Sequence, residues 1–529
     1  MSVAIPLRRA LRQAATRAAR RANSPPRTGS QELAAWARAH LGKRRLVLVS
    51  NREPWSHVRG PDGSLGVVRN AGGLAVSLDA LAQAVGASWV AHGSGSADRE
   101  AADLDGRVPC PPQRPAYTLR RVWLDGQDHD LYYAGAANSA LWPLCHVTFV
   151  RPRFEARAWR RYRDVNRRFA EAAIAEAGDD PALVWVHDYH LALAPRFLRE
   201  RRPDLAVAVF WHIPWPNPEV FRVLPWGPEL LEGMLAADLL GFHTQGYVLQ
   251  FLQCVAETLE ARVDFGRMAV DLRGHRTWVR AFPVGVPSVE IGELADAPAT
   301  GAAEAELRAR WGLEGMRVVL GVDRLDYTKG VPERLAAFGR FLERHPDWRG
   351  RVAFVQVGVP SRIELPEYRA VGRQVHEQIQ RLNARFPREG GPTAVLVEEA
   401  LDFRALVPLY RAADVCAVTP LHDGMNLVAK EYVAASTDLD GALVLSPFAG
   451  ASHELERAYL ASPYDREALA EAYRAALEDP EAERHDRMAA MREIVLRRTV
   501  YDWAIELLDA WQRLSLRTAT RPTAREATS

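Results

Sequence analysis

Short apolar segments recur along this chain, and most end in polar, glycine or proline residues before a helical pattern begins. "RLVLVS" (45–50) is the first, followed by "NREP", a polar turn "RGPDGSLG" that suggests a hairpin, and the glycine-opened helix "NAGGLAVSLDALAQAVG". "PALVWVHDYH" (181–190), "LAVAVFWHIPWP" (205–216), "AADLLGFHT" (236–244) and "TWVRAFPVGVP" (277–287) continue the series, with helical stretches such as "LALAPRFLRERRP" and "FLQCVAETLEARV" among them. Strands apolar for most of their length, separated by helices, predict mainly parallel sheets covered on both faces.

Composition shifts at about 291–310, and a second α/β series starts at "MRVVLGVDRLDYTKG" (316–330). It runs through "RVAFVQVGVPSR" (351–362), "TAVLVEEA" (393–400), "ADVCAVTPLHDG" (413–424) and "GALVLSPFAG" (441–450). The chain of 529 residues is long enough for two such domains in tandem. The expected division is a basic, disordered arm over 1–43 and a Rossmann-like domain over 44–290. A linker and leading helix follow over 291–315, then a second Rossmann-like domain over 316–482. C-terminal helices over 483–515 cross back to the first domain, and a disordered tail covers 516–529. Ligands of open α/β sheets bind beyond the carboxyl ends of the strands, so a cleft between the two domains is the expected site.

Composition excludes several classes. Sixty-eight Lys+Arg against sixty-six Asp+Glu leave a formal charge of only +2, which gives no footprint for nucleic acid. Cys110, Cys145, Cys254 and Cys416 lie far apart with no CxxC, so neither a disulfide framework nor a zinc cluster is expected. A reducing, cytoplasmic setting fits them as small core residues. No run of 18 apolar residues exists, so no stable membrane insertion is expected. Residues 1–30 hold seven arginines and no acid, with no apolar core of a secretory signal.

Five places carry chemistry. Arg324 and Lys329, just after a strand, can both be aimed at one diphosphate and neutralise charge growing on a leaving group. A surface ion pair with Asp323 or Asp326 is the plain alternative. Asp423 and Gly424 stand between a strand and a helix whose start would offer the amides of Met425, Asn426 and Leu427 to a phosphate. Asp423 can accept from sugar hydroxyls or serve as a helix cap. Glu431, about two turns into that helix, can hold a ribose, or pair with Lys430 or Arg334. Gly72 and Gly73 permit close approach to the backbone, as would any tight turn. Arg52, Tyr133, Trp142 and Arg362 combine guanidinium forks with aromatic faces, the mixture a phosphorylated sugar requires, although Trp142 also suits a core. Asp188, His187 and His212 end adjacent strand candidates, where a base or orienting group belongs. Neither GxGxxG, nor a P-loop, nor a serine elbow is present at these places, and no metal is expected.

Taken together, "VSNRE", "NAGGLAVSL", "YYAGAANSALWP", "VHDYH", "HIPWP", "LLGFHT", "DRLDYTKG", "DGMNLVAKEYVAA" and "LSPFAGASHEL" resemble the trehalose-6-phosphate synthase family, from about Arg45 to about Trp511. That family comprises retaining glycosyltransferases of GT-B architecture. The resemblance implies α/β domains of that class and transfer of glucose from a nucleoside-diphosphate-glucose to glucose-6-phosphate. It implies that Arg324 and Lys329 grip the donor diphosphate, approached by Gly72 and Gly73. Asp423, Gly424, Met425, Asn426 and Leu427 would hold donor glucose and phosphates, and Glu431 the ribose. Arg52, Tyr133, Trp142 and Arg362 would hold the acceptor, Asp188 an acceptor hydroxyl, and His212 the donor glucose near C6. The implied chemistry is front-face substitution: a donor phosphate oxygen takes the acceptor proton, with no carboxylate nucleophile. No cofactor or metal is required for it, the partners are small-molecule substrates, and a homo-oligomer is compatible.

The chain departs from the family's commonest pattern in the insertion "PWSHVRGPDGSLGVVR", in "WVAHGSGSADRE", at His422 before Asp-Gly, and in "FPVGVP". The insertion bears on the acceptor and keeps glucosylglycerol-phosphate synthase or a related transferase as one alternative; a second is a catalytically silent sugar-phosphate sensor, whose expected mark, loss of Arg324, Lys329 or Asp423, is not found. The nucleotide base is not legible from these residues.

Overall fold

The computed structural model describes residues 29–42, 44–69 and 73–519, with no account of the side chains at 73, 74, 76, 77 and 514–519. The chain divides into two units, one formed by Ser30–Val284 with the segment from Val500 onward, the other by Gly285–Thr499.

The strands of unit 1 are β1 (Arg45–Arg52), β2 (Trp55–Arg59), β3 (Leu65–Arg69), β4 (Ser88–His92), β5 (Arg107–Cys110), β6 (Tyr117–Val122), β7 (Ala182–His187), β8 (Ala206–Phe210), β9 (Leu239–Phe242), β10 (Arg262–Asp264), β11 (Ala269–Leu272) and β12 (His275–Ala281). Ten of them form one sheet in the order β10-β11-β12-β9-β8-β7-β1-β4-β6-β5. From β12 to β6 every pair is parallel. β7 and β9 are buried along their whole length, which is why they read as continuous apolar runs. The order reverses at β1 and β7, so the crevice of this sheet lies beyond the carboxyl ends of those two strands.

The edges differ from the mainly parallel expectation. β5 joins β6 antiparallel, and β10, β11 and β12 form an antiparallel meander. These short, half-exposed strands lack the apolar continuity that marks the central ones. The suggested hairpin is present: β2 and β3 pair antiparallel in a sheet of their own, around the turn at 60–64.

Unit 2 carries β13 (Arg317–Leu325), β14 (Val352–Pro360), β15 (Ala394–Val397), β16 (Val415–Val418), β17 (Ala442–Leu445) and β18 (Tyr459–Leu460). They form a wholly parallel sheet, β15-β14-β13-β16-β17-β18, whose order reverses at β13 and β16. Its core packs Val319, Phe338, Phe341, Phe354, Val375, Leu469 and Tyr473 between sheet and helices. The two units are thus Rossmann-like α/β domains of the GT-B class.

Three terminal and linking segments differ from expectation. The arm expected to be disordered to residue 43 contains a helix, Gly29–His40, because Leu33 and Ala37 share one face and are both buried; residues 1–28 lie outside the described residues. The segment 291–315 is mostly helical, as Ser288–Ala295 and Pro298–Arg310. At the other end the C-terminal helices are Glu481–Arg497, which belongs to unit 2, and Val500–Ala519, which belongs to unit 1. The second packs into unit 1 through buried Trp503, whose ring centroid lies 5.0 Å from that of Trp185 and 5.1 Å from that of Phe210. It continues through 516–519, at the start of the expected tail; residues 520–529 lie outside the described residues.

Candidate functional site

In unit 2 the chemistry gathers at the reversal of strand order. β13 ends in Arg324 and Leu325, and the next residue, Asp326, is wholly buried. One oxygen of Asp326 accepts from the amide and hydroxyl of Thr328, both at 3.0 Å, which shapes the single turn Tyr327–Lys329. Gly330 then takes φ +62°, and a Cβ there would stand 2.3 Å from the Thr419 carbonyl oxygen, so only glycine lets this turn lie against the end of β16. The other oxygen of Asp326 faces two guanidinium groups, Arg362 at 3.5 Å and Arg324 at 4.0 Å. Burial would raise the Asp326 carboxyl, but Arg362 and Arg324 outweigh it and hold it below the usual carboxylate range. Arg324 is therefore paired with Asp326, one of the two plain alternatives, yet a third of its side chain remains exposed.

Arg362 follows β14 with φ +50° and donates from Nη1 to the Tyr368 hydroxyl. It stands beside Arg324 in unit 2, while Arg52, Tyr133 and Trp142 belong to unit 1. Two arginines thus face one buried carboxylate. Removing Arg362 is expected to raise KM for a phosphorylated acceptor at least about tenfold while changing donor KM far less. Initial rates of Arg362→Ala against each substrate check this, and equal effects on both would refute the acceptor assignment.

Lys329 reaches across to Asp423, where its Nζ forms an ion pair with Oδ2. The same oxygen accepts from Asn426 Nδ2 at 3.1 Å. The loop carrying Asp423 is clamped to the next one: Asp423 N donates to Phe448 O (3.1 Å), Gly450 N to Asp423 O (3.2 Å) and Ala451 N to Met425 O (2.8 Å). The helix begins at Leu427, with Asn426 as its cap at φ +74° accepting from Ala429 N. Two expectations change here. Asp423 is not the cap, and Gly424, Met425 and Asn426 precede the helix, so only the Leu427 amide belongs to its first turn.

Glu431 stands just over one turn into that helix. Its carboxylate accepts from the Tyr410 hydroxyl at 2.7 Å, and burial raises it above the usual range. Neither proposed partner is available to it. Lys430 pairs with Glu454 at 2.5 Å, and the wholly buried Arg334 spans Asp323 (2.7 Å), Thr419 (2.9 Å) and Gln356 (3.2 Å).

In unit 1 the sequence-predicted groups also gather at the reversal of strand order. Arg52 ends β1 exposed, beside Asn51, whose side chain accepts from Tyr132 at 2.8 Å. Tyr133 sits on a π-helix, His129–Leu141, and stacks on His190 with ring centroids 5.8 Å apart and planes 9° from parallel. π-helical turns are rare and concentrate at functional sites. Trp142 is buried, 4.0 Å from the His146 ring and 5.6 Å from that of Tyr189, which matches its core alternative.

Asp188 follows β7 at φ +73° and accepts from the His212 amide at 3.2 Å. His212 Nε2 lies 3.2 Å from His187 Nδ1, and the His243 ring is 5.3 Å from that of His212. Burial pushes His187 down to about 3, and burial with His243 and His187 nearby pushes His212 well below its ordinary value. The His187 and His212 rings are thus neutral at physiological pH and act as hydrogen-bonding groups, not as cations. Gly73 opens the helix Gly73–Val85, while Gly72 lies outside the described residues.

Sequence reasoning missed His243, the Trp503 contact with His212 (ring centroids 6.3 Å) and the Asp323–Arg334 pair. "FHT" at the end of β9 repeats the placement of His212 after β8 and could have found the first. Nothing local marks the other two.

The sequence matches the family model of glycosyltransferase family 20 over residues 44–513. It is 41% identical over 479 residues to a trehalose-6-phosphate synthase of Mycolicibacterium vanbaalenii, covering 89% of this chain and 96% of that one. Among solved structures it is similar to one from E. coli bound with UDP-2-fluoro glucose (TM-score 0.78, 32% identity, 89% and 99% of the two chains). It is likewise similar to a UDP-forming α,α-trehalose-phosphate synthase from Burkholderia xenovorans in complex with glucose-6-phosphate (TM-score 0.79, 32% identity, 88% and 100%). No helix among the described residues is long and apolar enough to cross a membrane. By the match along most of its length, and by relatives of the same fold and extent, the chain belongs to glycosyltransferase family 20.

Proposed function

We propose that this protein transfers glucose, with retention, from a nucleoside-diphosphate-glucose to glucose-6-phosphate, forming α,α-trehalose-6-phosphate. The observation that carries the proposal is the assembly of Arg324, Lys329, Arg362 and the Asp423–Leu427 loop where the strand order of unit 2 reverses. The relatives bound with UDP-2-fluoro glucose and with glucose-6-phosphate support both substrate classes.

In this proposal Arg324 and Lys329 take the negative charge that grows on the departing diphosphate as the bond from C1 to the phosphate oxygen breaks. The bond from C1 to the acceptor oxygen forms on the same face, and the acceptor proton passes to the leaving phosphate oxygen. Asp423, already oriented by Lys329 and Asn426, holds glucose hydroxyls, and Glu431 holds the ribose. Gly73 and the amides of Gly424, Met425, Asn426 and Leu427 let the phosphates approach the backbone. The neutral ring of His212 bonds the donor near C6, and Asp188 orients the acceptor hydroxyl. Arg52, Tyr133 and Arg362 bind the acceptor, with Trp142 packed behind Tyr189 as support. No step calls for a metal or cofactor.

Turnover with UDP-, ADP- and GDP-glucose, each against glucose-6-phosphate and glycerol-3-phosphate, tests the assignment. Trehalose-6-phosphate from one donor is the expected product. Exclusive use of glycerol-3-phosphate would transfer the chain to the glucosylglycerol-phosphate class, and binding without turnover would make it a sensor.

A further inference from the structure

The residue after Arg52 is an acid with no part in the chemistry above, and it is buried. Glu53 accepts from Ser56 Oγ (3.0 Å), Ser94 N (2.8 Å), Ser94 Oγ (3.1 Å) and Arg121 Nε (2.9 Å). A second buried acid, Asp98, accepts from His57 N and Gly95 N, both at 2.6 Å, and pairs with Arg121 Nη2 at 2.8 Å. Arg121 has no exposed side-chain surface, and it also donates to Trp55 O (3.1 Å) and to His57 Nδ1 (2.8 Å). Four ionisable groups from four places in the chain therefore meet under the root of the hairpin. They are Glu53 at the end of β1, His57 on β2, Asp98 after β4 and Arg121 on β6.

The hairpin is fastened through these groups and the loop beside them. Ala97 N donates to His57 O (2.9 Å) and Arg59 N to Ser96 Oγ (3.0 Å). At Gly95 a Cβ would stand 2.3 Å from the His57 carbonyl oxygen, so the loop meets β2 backbone to backbone. Arg52 and Glu53 are consecutive, and alternation along an extended chain sends one side chain outward and the other into the cluster. Whatever holds Glu53 therefore sets where Arg52 points.

We propose that the buried Glu53–Asp98–Arg121–His57 cluster is a positioning device for the acceptor, fixing Arg52 and the hairpin Trp55–Arg69 in the arrangement that captures the sugar phosphate. This deepens, and rests on, the assignment of Arg52 to the acceptor. Charge balance makes the device sensitive to one proton. With one proton shared between the acids, a single carboxylate cancels the guanidinium; without it, a net negative charge is buried. Burial, then the hydrogen bond to Asp98, pushes Glu53 up to about 7, against the pull of Arg121. Burial would also raise Asp98, but its bonds from Glu53, His57 and Gly95 outweigh this and keep it low. Burial and then Arg121 push His57 down, so it stays neutral. The neighbouring Cys110 thiol is pushed up to about 12 by burial and stays protonated. Glu53 is thus the group that titrates. Because its value is raised in the fold, the hold is complete at lower pH and is lost as pH rises through about 7.

The experiment uses the full-length enzyme and follows acceptor KM, donor KM and kcat, together with amide exchange of the hairpin segment, between about pH 6.5 and about pH 8.5. Glu53→Gln replaces the titrating acid by a neutral amide, and variant-to-wild-type ratios cancel ionisation of the substrate phosphate. Wild type is expected to raise acceptor KM at least about threefold across the range, relative to Glu53→Gln, with kcat and donor KM moving much less. Hairpin exchange in wild type, corrected for its intrinsic rate, should accelerate in step. Asp98→Asn, a second variant, should shift the break to lower pH by removing the carboxylate that keeps Glu53 protonated. Parallel pH profiles for wild type and Glu53→Gln in both KM and exchange overturn the inference. If exchange responds while Arg52→Ala leaves acceptor KM unchanged, the cluster fastens the hairpin and the acceptor role of Arg52 is what fails.

Discussion

Arg324→Ala is expected to lower kcat at saturating donor by at least about 10²-fold, the loss typical of a removed charge contact to a transition state. The expectation follows from how this arginine is held. Its neighbour Asp326 is wholly buried and is shared with Arg362, so Arg324 is oriented by a carboxylate it does not fully neutralise. A third of the side chain stays exposed. Charge on the leaving diphosphate is greatest as the C1–O bond breaks, so the loss should fall on kcat more than on donor KM. Near-normal kcat with a raised donor KM would show that Arg324 binds the ground state only. Arg324→Lys should recover only part of the loss, because an ammonium lacks the planar fork.

Asp323→Ala is expected to destabilise unit 2 by about 3–5 kcal/mol, the cost of stranding a buried charge. Arg334 is wholly buried and its carboxylate partner, at 2.7 Å, is nearly so. Burial is the largest influence on Asp323 and raises it, while Arg334 and then Lys329 oppose that shift. The guanidinium also ties Thr419, which follows β16, to Gln356 on β14, so an Arg334 displaced by the loss of its carboxylate partner loosens both strands that flank β13. Thermal unfolding of the variant should show its transition lowered by roughly 10 °C. The double variant Asp323→Leu with Arg334→Met should recover much of the deficit, since an apolar pair of similar volume leaves no buried charge. An unshifted transition in the single variant would mean that water reaches Arg334.

Much of this architecture is legible before any coordinates. The central strands announce themselves because a strand buried on both faces must be apolar throughout, as β7 and β17 are. The hairpin is legible from its turn residues. The short strands β5, β10 and β11 are not, because a short strand with one exposed face differs little from a loop in composition. Among the site residues, Arg324, Lys329 and Asp423 stand out for lying at or just beyond strand ends, where open α/β sheets bind ligands. The start of the helix at Leu427 was harder to place: Asp423 and Asn426 are both good caps, and only backbone geometry shows that Asn426 takes the role.

Local information in the chain was enough to determine which segments are the central strands, which loops carry cations and acids, and that two α/β units follow one another. Those properties depend on neighbours within a few residues, through burial periodicity, capping and turn chemistry. Tertiary structure decided the partnerships: Lys329 with Asp423 ninety-four positions away, Glu431 with Tyr410 and not Lys430, Arg362 beside Arg324, and Glu53 sixty-eight positions from Arg121. Strand order brings such loops together. It is set by how the whole sheet closes its hydrogen bonds and buries its faces, a condition no short stretch of chain contains.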